Sequence, residues 1–82
     1  MSLTDKEKRE RSKFNIGIGN HVRKKRLEKK LSAGELARLC YMDKPNLFRI
    51  EKGRINPSIY VLNKIAEALG ISLEELFKGF KR

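Results

Sequence analysis

The chain has 82 residues, 20 of them Lys or Arg and 10 Asp or Glu, for a formal net charge of +10. That length allows one domain with a modest core, for which helices joined by short connections are the economical solution. The charge favours a polyanionic partner, since each neutralised phosphate releases a condensed counterion; an acidic membrane surface would suit it too, but no apolar run approaches the ~20 residues of a spanning helix.

Residues 2–13, SLTDKEKRERSK, are almost wholly polar, with Thr4 and Glu7 at capping-box spacing and no apolar face. They predict a flexible charged arm, or a loosely helical extension, over 1–13, ahead of one folded unit over 14–82. Laid along phosphate this would be a basic arm, but Asp5, Glu7 and Glu10 dilute its charge and favour a solvated tail. The first helix is expected over 14–30, with Ile18 and Val22 at i and i+4 and Leu27 behind them. Its polar face carries Arg23, Lys24, Lys25, Arg26, Lys29 and Lys30, so most of the net charge lies in the first 30 residues. Gly17 and Gly19 lack the preceding strand and third glycine of a dinucleotide loop. They suit a flexible first turn, or a close approach of another backbone.

Ser32 with Glu35 three residues on opens a second helix, a capping worth about 1 kcal/mol. Leu36 and Cys40 face inward, and Ala37 is small where two helices would cross. Cys40 is the single cysteine and His21 the single histidine, so neither an internal disulfide nor a four-ligand zinc site is available within the chain. Cys40 reads as a core hydrophobe, and no cofactor is expected. Asp43 then caps a third helix with Pro45 in its first turn. With Leu47 and Ile50 inward, Lys44, Pro45, Phe48 and Arg49 share the opposite face, with Asn46 at its edge. Arg and Lys match guanine O6 and N7, Asn matches adenine N6 and N7, and Pro45 and Phe48 suit thymine methyls. An outward Phe between two cations is unusual for a merely solvated face.

The loop RINP, residues 54–57, leads to a fourth helix starting at Pro57 or Ser58, with Ile59, Leu62, Ile65, Ala66 and Leu69 as its apolar stripe and Gly70 as its stop. Arg54, Asn56 and Ser58 surround that helix start and suit phosphate contacts, with Arg23 and Ser32 completing the expected set; a capped loop with a solvated Arg is the plainer alternative. Ser72 with Glu75 repeats the capping-box spacing before a short fifth helix. Glu74 and Glu75 in a first turn are explained by the helix dipole, without acid catalysis.

LSxxELA at 31–37, LFRIEKG at 47–53 and NP at 56–57 together resemble the Cro and phage-repressor type of helix-turn-helix domain, over about residues 18–77. The resemblance implies an all-α, five-helix, repressor-like domain whose third helix enters the major groove of double-stranded DNA. It also implies a structural ion pair between Arg26 and Glu51. The family often has a glutamine where this chain has Ala33, which removes an amide suited to phosphate. It often has a glycine where this chain has Tyr41, which asks a non-glycine residue for left-handed geometry at a cost on the order of 1 kcal/mol. Ile71, Leu73, Leu76, Phe77 and Phe80 exceed what so short a helix can bury on one side. Ile71, Leu73, Phe77 and Phe80 are therefore expected at a two-fold interface, as in many members of the family.

The expected function is a cytoplasmic, sequence-specific transcription regulator that binds a palindromic operator as a homodimer and acts on RNA polymerase by blocking or touching it. Its size resembles the small controller proteins of restriction-modification systems. Enzymatic activity is not expected, since no clustered titratable groups suggest a reactive site. A rival from another class is an antitoxin, which would hold a toxin protein and bind DNA secondarily to autoregulate its operon.

Overall fold

The computed structural model describes residues 3–80, which form five α-helices: α1 (Asp5–Glu28), α2 (Ala33–Leu39), α3 (Lys44–Glu51), α4 (Ile59–Ala68) and α5 (Leu73–Leu76). The expected all-α, five-helix class is what these residues adopt. Each helix opens on a polar cap, Thr4, Ser32, Asp43, Ser58 or Ser72, whose side chain accepts the amide three residues on at 2.7 to 3.2 Å. In two of them a glutamate reaches back to the cap amide, Glu7 to Thr4 at 3.1 Å and Glu35 to Ser32 at 2.9 Å. At the fifth the expected reciprocal bond is different: the Glu75 carboxylate takes the Ser72 hydroxyl, at 3.4 Å, instead of the Ser72 amide.

The first helix begins at Asp5 rather than residue 14, so most of the stretch expected to be an arm or loose extension is helical; Met1 and Ser2 lie outside the described residues. Thr4 and Glu7 cap this end, and Lys, Glu and Arg are good helix formers that extend a helix already anchored downstream. At its other end α1 stops at Glu28, because Lys30 turns left-handed at φ 59°. The first four helices stop alike. Lys30, Tyr41, Gly53 and Gly70 have positive φ, and the next amide bonds back to a carbonyl five residues earlier: Leu31 to Arg26, Met42 to Ala37, Arg54 to Arg49 and Ile71 to Ala66. Two of these turns use glycine. Lys30 and Tyr41 have a Cβ there, at a cost on the order of 1 kcal/mol each.

The core joins Ile18 and Val22 of α1 with Leu36 and Ala37 of α2, Leu47 and Ile50 of α3, Leu62, Ile65 and Ala66 of α4, and Leu76 of α5. Cys40, at the end of α2, is buried among them; burial raises its thiol pKa, as expected of a core residue. Leu27, expected behind Ile18 and Val22, is instead 49% exposed. Five residues beyond Val22, it is turned about 140° away from that stripe. Ile59 is likewise outside the core at 67% exposed, and the inward stripe of α4 starts a turn later at Leu62.

Helix α3 lies against α1, and the crossing is close enough to demand glycine on both sides. A Cβ on Gly19 would collide with the Ile50 and Glu51 carbonyls, reaching 2.6 Å from the latter, and a Cβ on left-handed Gly53 would strike the Ile16 backbone. Of the two readings of NIGIGN, close approach holds at Gly19. The C-terminal segment closes the other side of α1. Phe77 stacks on His21 with ring centroids 6.1 Å apart, and Phe80 meets both His21 and Phe14 edge-on. His21 Nε2 is buried with no hydrogen-bond partner. Burial lowers the His21 pKa and outweighs a Leu76 backbone hydrogen bond; Lys25 and Lys24 push the same way and Glu28 opposes them. No described helix is long and apolar enough to cross a membrane.

Candidate nucleic-acid interface

Helix α3 is two-faced because each residue advances the helix by about 100°. Leu47, Ile50 and Glu51 are buried, whereas Lys44, Pro45, Phe48 and Arg49 are exposed and Asn46 is half-buried at the margin. The five residues expected to read bases therefore sit on or beside one outward surface. Asp43 fixes the start of that surface by accepting the Asn46 amide at 2.7 Å. At the other end Arg26 of α1 grips Glu51 through two parallel bonds, Nε to Oε2 at 2.8 Å and Nη2 to Oε1 at 3.0 Å. Its remaining arm, Nη1, donates to the Leu31 carbonyl at 2.8 Å. The fork thus ties α1, the α1–α2 turn and α3 together, as the ion pair implied by the resemblance requires.

Arg26 and Glu51 also floor a groove between α1 and α3, with Asn20 and Arg23 on one wall and Lys44, Phe48 and Lys52 on the other. Phe48 is 47% exposed. The cations over its ring are Lys52, with Nζ 5.6 Å from the centroid, and Arg54, with its guanidinium carbon 5.5 Å away. Neither is its expected neighbour Lys44 or Arg49. Lys52 is not among the residues expected at DNA, although its spacing of four from Phe48 places both on one helix face.

The residues expected at phosphate are spread over several elements. Arg23 is exposed on the α1 wall of the groove, and Ser32 is exposed at the start of α2, where its Oγ accepts the Glu35 amide at 3.1 Å. Arg54 is drawn over Phe48. Asn56 donates Nδ2 to Oδ1 of buried Asn15 at 2.6 Å, pinning the α3–α4 loop to α1. Ser58 caps α4 by accepting the Val61 amide at 3.1 Å, beside the free amides of that helix start. At the C-terminal end, Ile71, Leu73, Phe77 and Phe80 are half-buried against the chain's own core, so the His21 and Phe14 rings and the core cover part of the expected apolar excess. The most exposed large apolar side chains lie elsewhere: Tyr41 at 90%, and Ile59 and Tyr60 in the first turn of α4. Lys64 Nζ lies over both tyrosine rings, at 5.8 and 5.3 Å.

A helix-turn-helix family model matches residues 22–76 of this chain. Control protein C.MunI from a Mycoplasma species is 38% identical over 68 residues, spanning 82% of this chain and 92% of that protein. Among solved structures, the restriction-modification controller protein C.AhdI from Aeromonas hydrophila superposes with a TM-score of 0.72 at 35% identity, covering 76% of this chain and 94% of that one. A helix-turn-helix transcriptional regulator from Vibrio cholerae gives 0.78 at 32% identity, covering 84% of this chain but 39% of that one. With its two-helix motif at α2 and α3, its capped turn and these relatives, the chain belongs to the helix-turn-helix family of transcription regulators.

Proposed function

We propose that the chain is a sequence-specific DNA-binding regulator of the restriction-modification controller kind, which binds a palindromic operator as a homodimer. The observation that carries this reading is the division of α3, with Leu47 and Ile50 sealed inward and a cationic and aromatic surface turned out. One such helix from each copy would occupy successive major grooves about 34 Å apart. Lys44, Asn46 and Arg49 supply donors and acceptors to base edges, and Pro45 and Phe48 supply apolar contact to thymine methyls. Arg23, Ser32, Arg54, Asn56 and Ser58 flank that surface on the α1, α2 and α4 sides, as phosphate contacts that set the register of the helix should. Ile71, Leu73, Phe77 and Phe80 contribute to the contact between copies. Docked this way, the protein acts on transcription by obstructing RNA polymerase or by touching it.

Selection of bound sites from random duplexes at two salt concentrations tests the proposal, with a roughly palindromic site expected. Arg49→Ala is expected to cost about 1 to 3 kcal/mol and relax preference at one base pair per half-site, whereas Arg23→Ala weakens all duplexes alike and lowers the salt slope by about one unit. Equal, sequence-blind losses from both substitutions would overturn the base-reading assignment. Equal affinity for all duplexes would replace it with non-specific binding.

A further inference from the structure

The helical extension of α1 ahead of residue 14 creates a second charged surface. Its N-terminal half runs beside the α3–α4 loop and forms a groove with it, lined by Lys8, Arg11, Ser12 and Asn15 on one side and Arg54 and Asn56 on the other. The groove has three cations and no carboxylate along its lining. Thr4 holds the nearby Glu7 carboxylate at the helix start, through the Thr4 amide and hydroxyl. Rotation of about 100° per residue explains the sorting: Lys8, Arg11, Ser12 and Asn15 fall within a sector of about 100°, while Arg9 and Lys6 lie about 110° and 170° from its centre. Asn56 bonded to Asn15 at 2.6 Å braces the groove floor.

From this arrangement we infer that Lys8 and Arg11 form, with Arg54, a phosphate-binding groove that grips the backbone of duplex DNA outside the major groove occupied by α3. Arg54 makes the surface continuous, since it lies over the Phe48 ring on the recognition face and also lines the groove. Beside apolar Leu3 and Ile55, the lining carries the three cations and the Ser12 hydroxyl, donors that suit phosphate oxygens, which accept hydrogen bonds and carry charge at every nucleotide. The inference rests on the reading of the chain as a duplex-binding protein. It adds contacts that fix affinity and salt dependence without adding sequence information.

The test compares Lys8→Ala/Arg11→Ala with Lys6→Ala/Arg9→Ala, two variants of equal charge that differ only in the face of α1 they strip. Binding of the full chain to a random-sequence duplex is measured over a salt series, with circular dichroism checking that α1 is intact. Each lost phosphate contact lowers the slope of log affinity against log salt by about 0.9, so the groove variant is expected to lose nearly two units and the far-face variant well under one. Equal slopes for the two variants would overturn the groove, whether both fall together or both stay at the parental value. The second of those results is also what an acidic protein partner at this surface would give. Since any duplex carries the phosphates, this measurement stands apart from the site selection that tests base reading. A parent with no preferred site but a groove-dependent slope would refute sequence specificity and keep the groove.

Discussion

Gly17 and Gly19 sit two residues, about half a turn, apart and so on different faces of α1, and the structure assigns them opposite responses to the same substitution. In a helix interior, Gly→Ala ordinarily stabilises by about 0.8 to 1 kcal/mol, by removing backbone entropy from the unfolded chain. At Gly17 the added Cβ would meet only the Phe80 ring, at 3.6 Å, which is ordinary contact. Gly17→Ala should therefore gain most of that increment. At Gly19 the same methyl would come within 2.6 Å of the Glu51 carbonyl oxygen and nearer still to that of Ile50. Both obstacles are backbone, so no rotamer change relieves them, and α3 must move away from α1 by several tenths of an ångström. Overpacking of this kind costs about 1 to 3 kcal/mol, more than the helix-propensity gain can offset at the upper end. It also stretches the Arg26–Glu51 fork just beyond the crossing. Urea unfolding at constant m-value is the assay. A thermal scan should show the two variants on either side of the parent, at about 4 to 8 °C per kcal/mol for a domain of this size. Gly19→Ala more stable than the parent by the full helix-propensity increment would refute the close-crossing argument.

Glu51→Gln should cost about 3 kcal/mol, because it leaves the buried Arg26 guanidinium without its counter-charge; urea unfolding measures it, and a loss below about 1 kcal/mol would show that the pair is effectively solvated. Acidification should lower stability in two stages. The His21 pKa is lowered in the fold, so below its ordinary value of 6.5 the unfolded chain takes up the proton first and stability falls. His21→Leu should remove that stage, and unfolding free energies unchanged between pH 7 and pH 5 in the parent would contradict it. Glu7 and Glu35 also have lowered values, through their bonds to Thr4 and Ser32, so their contribution is present above the ordinary 4.5 and is lost only as pH falls through and below it. Tyr41→Gly should stabilise by about 0.5 kcal/mol, the left-handed strain relieved less the added entropy of glycine, and a loss of stability would mean that the Lys64 contact to the ring outweighs the strain.

What could be read in the sequence was whatever depends on neighbours in the chain. Ser32, Asp43 and Ser72 each cap the helix whose start they mark in the sequence, and Leu47 and Ile50 point inward because their spacing of three fits one helix face. The left-handed demand on Tyr41 and the Arg26–Glu51 pair both came from the family pattern rather than from spacing. The departures concern residues whose surroundings are set by distant segments. Asn56 is turned from open loop to brace by Asn15, 41 positions away, and Arg54 is drawn to Phe48. Phe77 and Phe80 find His21 and Phe14 on a helix more than fifty residues earlier, so part of an apparent apolar surplus is absorbed at home. No local period encodes these meetings.

The same distant contacts explain why so short a recognition helix can be presented rigidly. An isolated helix of fewer than about 12 residues is marginal in water, and α3 has 8. Its inward face is held by the core it shares with Leu36 and Ala37 of α2, and α1 adds the glycine crossing at Gly19, the Arg26 fork on Glu51, and the Asn15–Asn56 bond that holds the loop after it. These three attachments are spaced along one helix and restrain α3 and the loop that follows it, so a change at any of them should tilt the reading face as well as weaken the fold. The first helix therefore acts as the ruler against which the outward residues of α3 are placed. Its charged extension lies along the same ruler, which fixes Lys8 and Arg11 relative to Phe48 and Arg49 without a flexible arm between them.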